Sequence, residues 1–320
     1  MESDSPIVRG SPGIRLADFF ENSGLPEALQ ESGIPMKRLC ALPALALWSL
    51  ATVSGQAPSY SAATVLNTCN QAHGPYAPNT GITILGSGMA LSTRALTATD
   101  ITDGALPTTL NGVEVMVDGM PAPLFYISPT QINFLMPPNQ VVGPVTVWVV
   151  LNSIAGPQIS ITLQDAAPAL FPSPLAPDYA IAQLWPAYSL IGPASPAPPA
   201  GIVILYATGL GTTEPYPAEP AEIPLYAGVI ERIADFQVLL NGTPLDPRRV
   251  LYAGICPGWA GLYQINLVLP DDVGPNPEIR VAVGSEVSPA GILLAVEPAG
   301  AAANRATASM QAAGLPLRPR

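Results

Sequence analysis

The sequence contains few of the residues on which most protein chemistry depends. Its 320 residues include one histidine (His73), one lysine (Lys37) and three cysteines, and only 11% of the residues are charged. Without a second imidazole, neither a histidine-based metal site nor a repeated catalytic dyad can be assembled. We therefore expect a protein that is not an enzyme and that carries no cofactor and no metal.

Basic residues are too scarce for a nucleic-acid partner. The formal net charge is −11 at pH 7, and five arginines stand against 17 acidic residues between Pro58 and Pro298. Nucleic acids bind to basic surfaces, so they are excluded as expected partners. The chain is nevertheless 48% hydrophobic, with 39 prolines and 28 glycines. This balance is typical of a folded, turn-rich β protein rather than a disordered one.

A run of apolar residues near the N-terminus is shorter than a membrane span. It extends from Leu39 to Val53, contains Pro43, and falls short of the roughly 20 residues that cross a bilayer. The basic Met36-Lys37-Arg38 precedes it and small residues follow it, so residues 36–57 are predicted to be a signal peptide. A membrane anchor is the alternative. Cleavage would leave a mature chain without a membrane span, secreted or at the cell surface.

Residues 1–35 precede this leader and show no pattern. Their mixed, acidic content suggests a wrongly assigned start, with Met36 as the true initiator. A long cytoplasmic segment before the leader is the alternative.

One sequence unit occurs twice. QINFLMP at 131–137 returns as QINLVLP at 264–270, and each copy follows an alternating apolar run that ends in a turn pair, Asp118-Gly119 or Asn241-Gly242. Such pairs are typical of β-hairpins. A duplicated β unit in which no set of candidate catalytic residues is repeated favours a structural or binding role over a catalytic one.

Short apolar runs separated by proline, glycine and asparagine predict an all-β fold with two immunoglobulin-like β-sandwich domains in tandem. The predicted strands include Gly81 to Leu85, Gln131 to Leu135, Val145 to Leu151 and Gly291 to Val296. The predicted segments after the leader are 58–166 for the first sandwich, 167–200 for a Pro-rich linker, 201–298 for the second sandwich and 299–320 for a disordered tail. Within the linker, a hairpin is expected between Ala180 to Leu184 and Tyr188 to Ile191.

Several strings of the chain resemble a known family. They are LPTTLNGV at 106–113, PAPLFYISPTQINF at 121–134, LYATGLG at 205–211, and YAG at 252–254 with GLYQIN at 261–266. Together they resemble the uncharacterised secreted C-terminal domain family of acidobacteria, often called the Solibacter C-terminal family, over residues 62 to 297. The resemblance implies immunoglobulin-like or TIG-like sandwiches in an exported protein, with no established activity.

Two cysteines remain after removal of the leader. Cys69 and Cys256 form an even number in an oxidising compartment, so a disulfide between them is one expectation. Two separate buried thiols are the alternative. The resemblance adds weight to the disulfide, because small residues are more typical of the family at both positions.

The repeated amides and one strand tryptophan have more than one interpretation. Gln131 and Asn133 are expected to bond nearby loop backbone while Ile132 and Phe134 enter the core; a ligand-facing ladder of amides is the alternative. Trp148 lies in a strand that is apolar on both faces, and we expect it in the core rather than on a partner surface.

Loop aromatics provide the candidate binding residues. Trp185 and Tyr188 flank the turn of the linker hairpin, and Trp259 lies in a Pro-Gly loop. Aromatic side chains on loops can stack on sugar rings or anchor a protein partner. The acidic Asp100 and Asp103 are interpreted as part of a turn, with calcium binding as the alternative.

The sequence thus predicts an exported, non-enzymatic interaction and scaffolding module, of the kind used in adhesion. Its partner would be a protein or a polysaccharide outside the cell. The alternative function is a carbohydrate-binding module that uses Trp185, Tyr188 and Trp259.

Overall fold

Short segments with every second residue buried pair into antiparallel sheets along the chain. The computed structural model describes residues 56–215 and 221–298. Helices in these ranges are single 3₁₀ turns, at Ala62–Thr64, Ala98–Asp100, Ile233–Asp235 and Pro247–Arg249. No helix of the described ranges has the length and apolar character to cross a membrane. The predicted extension 1–35, the leader except its last two residues, and the tail 299–320 lie outside the described residues.

The first sandwich consists of two sheets around one apolar core. Its strands are β1 Val65–Asn67, β2 Gly81–Leu85, β3 Arg94–Ala95, β4 Thr109–Leu110, β5 Val113–Val117, β6 Met120–Pro121, β7 Leu124–Ile127, β8 Gln131–Leu135, β9 Gly143–Leu151, β10 Ile154–Ala155 and β11 Ile159–Leu163. One sheet has the order β1-β2-β8-β7-β3. The other has the order β10-β9-β5-β4, with β11 on β9 and β6 on β5.

The second sandwich has the same two-layer plan. Its strands are β12 Ala169–Leu170, β13 Pro172–Ser173, β14 Ala176–Ala180, β15 Ala182–Leu184, β16 Ser189–Ile191, β17 Ile202–Thr208, β18 Thr213–Glu214, β19 Gly228–Ile230, β20 Phe236–Leu240, β21 Thr243–Pro244, β22 Val250–Ile255, β23 Tyr263–Val268, β24 Ile279–Val283 and β25 Glu286–Val287. The larger sheet has the order β16-β15-β17-β23-β22-β19-β18, with β12 on β17, and the smaller has the order β21-β20-β24-β25. β13 and β14 form a separate ribbon.

The two copies of the sequence repeat occupy equivalent positions. β8 lies between β2 and β7, and β23 lies between β17 and β22. One neighbouring strand in each sheet, β7 or β22, is irregular at the same point. Tyr126 pairs with Asn133 after a bulge in β7, and Tyr252 pairs with Asn266 after a bulge in β22. Duplication of the unit is thus visible down to its strand irregularities.

The predicted turn pairs form tight hairpins. Asp118 and Gly119 have φ values of 46° and 83°, and Asn241 and Gly242 have 50° and 76°. Positive φ at both central residues is the requirement of a type I′ turn, which aspartate, asparagine and glycine meet at the lowest cost. These turns connect β5 to β6 and β20 to β21.

The segment 167–200 contributes strands to the second sandwich. The predicted hairpin forms between β15 and β16, and β15 also pairs with β17 along Ala182 to Leu184. β12 also pairs with β17, at its C-terminal residues Ala207 and Thr208. The domain boundaries themselves stay predictions, but this part of the segment is built into a sheet.

The expected strand from Gly291 to Val296 is wrong. Leu293 bridges Tyr179 and Glu278, and Val296 bridges Ala197, all as isolated bridges. Because the backbone changes partner every few residues, it does not form a regular ladder with one strand.

The expectation that Trp148 lies in the core is also wrong. Val145, Val147 and Val149 are buried in the first core, whereas Trp148 is half-buried and pairs with the half-buried Met116 on β5. Alternate residues of a strand point to opposite faces, so Trp148 lies on the outer face of this sheet.

Candidate functional site

The predicted aromatic residues gather beside one buried cluster between the two sandwiches. We call this the interdomain cluster; its buried members are Cys69, Ala169, Phe171, Ile181, Ile204, Tyr206 and Cys256, and Tyr188, Trp259 and Leu262 pack against them half-buried. Ile204 and Tyr206 lie on the outer face of β17, because Val203 and Leu205 point into the second core. The cluster therefore covers the outside of the second sandwich's larger sheet.

Trp185 and Tyr188 are held by the turn between β15 and β16. Tyr188 has a φ of 53°, its N–H donates to the carbonyl of Leu184 at 2.8 Å, and the N–H of Trp185 donates to Ile202 O at 3.0 Å. The two rings meet edge to face, with centroids 5.3 Å apart and an interplanar angle of 84°. This is a favourable aromatic geometry, so each ring fixes the orientation of the other.

Trp259 enters the cluster from the loop between β22 and β23. Its N–H donates to Cys256 O at 3.1 Å, and the Cys256 N–H donates to Leu262 O at 2.8 Å, which closes the loop. The structure thus brings Tyr188 and Trp259 to one cluster and attaches Trp185 to it through Tyr188. Tyr188 and Trp259 therefore pack against the cluster, and Trp185 packs against Tyr188.

The cavity at this cluster is too small for a sugar. It measures about 20 Å³ and is lined by residues of both sandwiches, among them Thr68, Cys69, Phe171, Thr208 and Trp259. That space holds roughly one water molecule, whereas ligand pockets measure on the order of 300–1,000 Å³. A ligand at these aromatics would have to bind to their outer surfaces.

Cys69 and Cys256 belong to the same cluster as free thiols. Burial raises the pKa of Cys69 well above its usual value and the pKa of Cys256 to about 12. The Cys256 thiol lies 3.7 Å from Gln264 Oε1. The disulfide stays a prediction, and the thiols as they stand are poor nucleophiles because the thiolate is the reactive form.

The repeated amides bond one another rather than loop backbone, contrary to expectation. Gln131 Nε2 donates to Asn133 Oδ1 at 2.9 Å, and Gln264 Nε2 donates to Asn266 Oδ1 at 2.9 Å. The expectation for the opposite face is confirmed, since Ile132 and Phe134 are fully buried in the first core. Strand period explains both results, because glutamine and asparagine two residues apart share one face.

Both asparagines of the repeat are almost completely enclosed. Asn133 is 0% exposed and Asn266 is 1% exposed, and the Nδ2 of each is buried with no hydrogen-bond partner among the described residues. Buried donors of this kind are unusual in native proteins. Both asparagines are thus covered, although they lie on the sheet face opposite the core residues of their strands.

Asp100, one of the two candidate calcium residues, has other partners. Asp100 accepts hydrogen bonds from the Thr97 backbone N–H at 2.8 Å and from the Thr97 hydroxyl at 2.7 Å, and it forms an ion pair with Arg94. Those interactions cap the 3₁₀ turn Ala98–Asp100 and lower the pKa of the carboxyl, mainly through the Thr97 hydroxyl. Within 56–215 and 221–298, histidine, cysteine and acidic side chains form no group of three that could hold a metal ion.

Sequence reasoning missed Phe171 and Tyr206, which build much of the interdomain cluster. The Tyr206 hydroxyl donates to Gln183 Oε1 at 2.6 Å, and Gln183 Nε2 donates to Tyr188 O at 3.1 Å, so the hydroxyl is tied to the turn of the hairpin. β17 is apolar along almost its whole length, so its sequence does not distinguish the face of Tyr206 from the face in the core.

Comparison with known proteins adds a partial family match. No curated protein matches the chain. Among solved structures, SGBP-B of the Bacteroides ovatus mixed-linkage glucan utilization locus, in complex with a mixed-linkage heptasaccharide, is similar over 69% of this chain and 42% of its own, with 9% identity and a TM-score of 0.27. The Plexin A4 full extracellular region is similar over 70% of this chain and 15% of its own, with 16% identity and a TM-score of 0.22.

The N-terminal Ig1-2 module of the Drosophila receptor protein tyrosine phosphatase DLAR is similar over 76% of this chain and 96% of its own, with 11% identity and a TM-score of 0.16. The chain thus spans less than half the length of the first two structures. The family model for the IPT/TIG domain matches residues 67–164, which lie within the first sandwich. The chain therefore contains an immunoglobulin-like IPT/TIG domain.

Proposed function

We propose that the mature chain is an exported, non-enzymatic interaction and scaffolding module that binds a protein or polysaccharide partner outside the cell. The observation that carries the proposal is the outer face of the first sandwich, where Trp148 and Met116 stand side by side away from the core. Trp148 belongs to none of the apolar clusters formed by the described residues. Large aromatic side chains at a surface are enriched where partners bind.

The charge distribution supports a partner other than nucleic acid. Four arginines form ion pairs with neighbouring aspartates, in Arg94–Asp100, Arg232–Asp235, Arg248–Asp246 and Arg249–Asp271. The fifth, Arg280, donates to Ser288 O at 2.7 Å. Every arginine from Pro58 to Pro298 is thus engaged locally, and the acidic excess dominates the surface field.

We also propose that the chain belongs to the Solibacter C-terminal family. The strings that resemble the Solibacter C-terminal family lie on both sandwiches, and the predicted leader would export the chain through a signal peptide starting at Met36. The alternative, a carbohydrate-binding module built on Trp185, Tyr188 and Trp259, has weaker support because Tyr188 and Trp259 pack against the interdomain cluster and Trp185 packs against Tyr188.

One experiment distinguishes binding at the Trp148 surface from binding at Trp185, Tyr188 and Trp259. The full chain, produced with its leader in a bacterial host, is examined by intact mass after fractionation, then by affinity electrophoresis against neutral and acidic polysaccharides and by cross-linking on the surface of the native host. We expect a processed chain outside the cytoplasm whose binding is lost in Trp148→Ala and kept in Trp185→Ala/Trp259→Ala. The reverse pattern would support the alternative function, and an unprocessed cytoplasmic chain would overturn export.

A further inference from the structure

The two sandwiches share a buried hydrogen-bonded hydroxyl. Tyr263 is 0% exposed and belongs to the second core, yet its hydroxyl accepts a hydrogen bond from Asn79 Nδ2 of the first sandwich at 3.1 Å and donates to Gly211 O. The Asn79 N–H donates to Met136 O at 3.0 Å, which fixes the loop that carries it. Separation of the sandwiches would break this contact inside the core of the second.

Backbone pairing also crosses between the sandwiches. The N–H of Leu106 donates to Ala221 O at 2.9 Å, and the N–H of Ile223 donates to Gly104 O at 2.9 Å. Ala105 and Glu222 form the antiparallel bridge between these two bonds. A segment of the second half thereby adds to the first sandwich by the same main-chain bonds that build a sheet.

Apolar side chains close the space around this pairing. Leu106, Phe125 and Leu135 of the first sandwich form a buried cluster against which Ile223 and Ala260 of the second half pack. The fit is tight at Gly261, where a Cβ atom would lie 2.6 Å from Leu135 Cδ1. Close packing of this kind is a property of protein interiors rather than of flexible domain contacts.

We propose that the two sandwiches form one rigid unit that folds and unfolds cooperatively, locked by the Asn79–Tyr263 hydrogen bond, the pairing of 104–106 with 221–223, and the contact of Gly261 with Leu135. A partner that contacts both sandwiches would then find them in one fixed relative orientation. The proposal is independent of which partner binds, and it stands or falls separately from the proposed function.

Calorimetry on the full chain tests cooperativity with a matched pair of variants. Gly261 and Gly242 have φ values of 78° and 76°, and a Cβ on Gly242 would meet nothing within 4 Å. Alanine therefore adds the same backbone strain at both positions and an interdomain clash only at Gly261. We expect one transition for the native chain, with equal calorimetric and van't Hoff enthalpies, and a Tm decrease for Gly261→Ala at least twice that for Gly242→Ala.

A second pair of variants covers the case in which Gly261→Ala does not fold. Tyr263→Phe removes the hydroxyl shared between the sandwiches, and Tyr206→Phe removes one that donates within the second half. We expect Tyr263→Phe to lower the single Tm or to split the transition in two. Two transitions in the native chain, or equal shifts for the members of both pairs, would overturn the proposal.

Distance measurements test rigidity directly. Ser160 and Gln237 are exposed on β11 and β20, one in each sandwich, and can carry spin labels after replacement by cysteine, while Cys69 and Cys256 are buried. A single narrow distance distribution by electron–electron double resonance is expected for Ser160→Cys/Gln237→Cys. A broad distribution would show independent domains and refute the rigid unit.

Discussion

Asn133 and Asn266 hold the same position in the two sandwiches and receive the same bond, from a glutamine two residues earlier at 2.9 Å. Their surroundings differ. Asn133 Oδ1 also accepts from Thr83 Oγ1 at 3.0 Å, and Gln131 is buried, whereas Gln264 is half-buried. One repeated motif therefore carries a larger buried polar network in the first sandwich than in the second.

This difference predicts unequal costs for the same substitution. Asn133→Ala would leave the buried amide of Gln131 without its acceptor, at a cost of about 1–3 kcal/mol of unfolding free energy. It would also force the Thr83 hydroxyl to turn to its other partner, the Thr68 hydroxyl 3.0 Å away. Asn266→Ala would leave the amide of Gln264, which water can reach. Urea unfolding should therefore rank Asn133→Ala as the more destabilising variant. Equal costs, or the opposite order, would show that the networks do not differ in energy.

The sequence predicted the repeating elements well, because local patterns determine them. Gly81–Leu85 and Gln131–Leu135 are strands as expected, and the Asp118-Gly119 pair turns the chain as expected. In each case the side-chain alternation or the φ requirement acts within a few residues. The two-sandwich architecture follows from the same signals.

Contacts between the sandwiches could not be predicted in the same way. The bond between Asn79 and Tyr263 joins residues 184 positions apart, and its existence depends on how two finished domains pack. The prediction for Trp148 was wrong for a related reason. Its strand has apolar residues on both faces, so only the position of the opposite sheet decides which face lies in the core. Trp185, Tyr188 and Trp259 were predicted as binding residues because the sequence shows that they lie in loops but does not show what they pack against.

Calcium is not expected to stabilise the protein. The Asp100 carboxylate is engaged by Thr97 and Arg94 and would have to leave both to bind a cation. The Tm in millimolar calcium chloride should therefore equal the Tm in a chelator, with magnesium chloride at the same ionic strength as the control. A calcium-specific increase in Tm, abolished by Asp103→Asn, would contradict the cap and support a site at Asp100 and Asp103.

The two thiols should resist alkylation in the folded protein. Because burial raises the pKa of both, little thiolate is present at pH 8, and the sulfurs are shielded from reagent. We expect no iodoacetamide adduct on Cys69 or Cys256 in native buffer and one adduct on each of them in denaturant without reductant, measured by peptide mass spectrometry. If the adducts in denaturant formed only after reduction, the disulfide predicted from the sequence would be established.

Alkaline pH should destabilise the fold. A thiol whose pKa is raised on folding, as for Cys256 from 9.0 to about 12, contributes its full stability below pH 9. Above that pH the unfolded chain loses the proton while the folded chain keeps it, so the free energy of unfolding falls as pH rises toward 12. Burial also raises the pKa of Tyr60, Tyr76 and Tyr252, which adds to the same slope.

Cys256→Ala isolates the thiol's share of this pH dependence. The variant loses a small packing term at every pH, but its free energy of unfolding should decline less between pH 9 and 11 than that of the native chain, as measured by urea titration at each pH. Ser285→Ala is a suitable control, because Ser285 is exposed and its hydroxyl contacts only the adjacent Glu286. Parallel declines for the native chain and Cys256→Ala would mean that the Cys256 thiol is not buried as the structure shows.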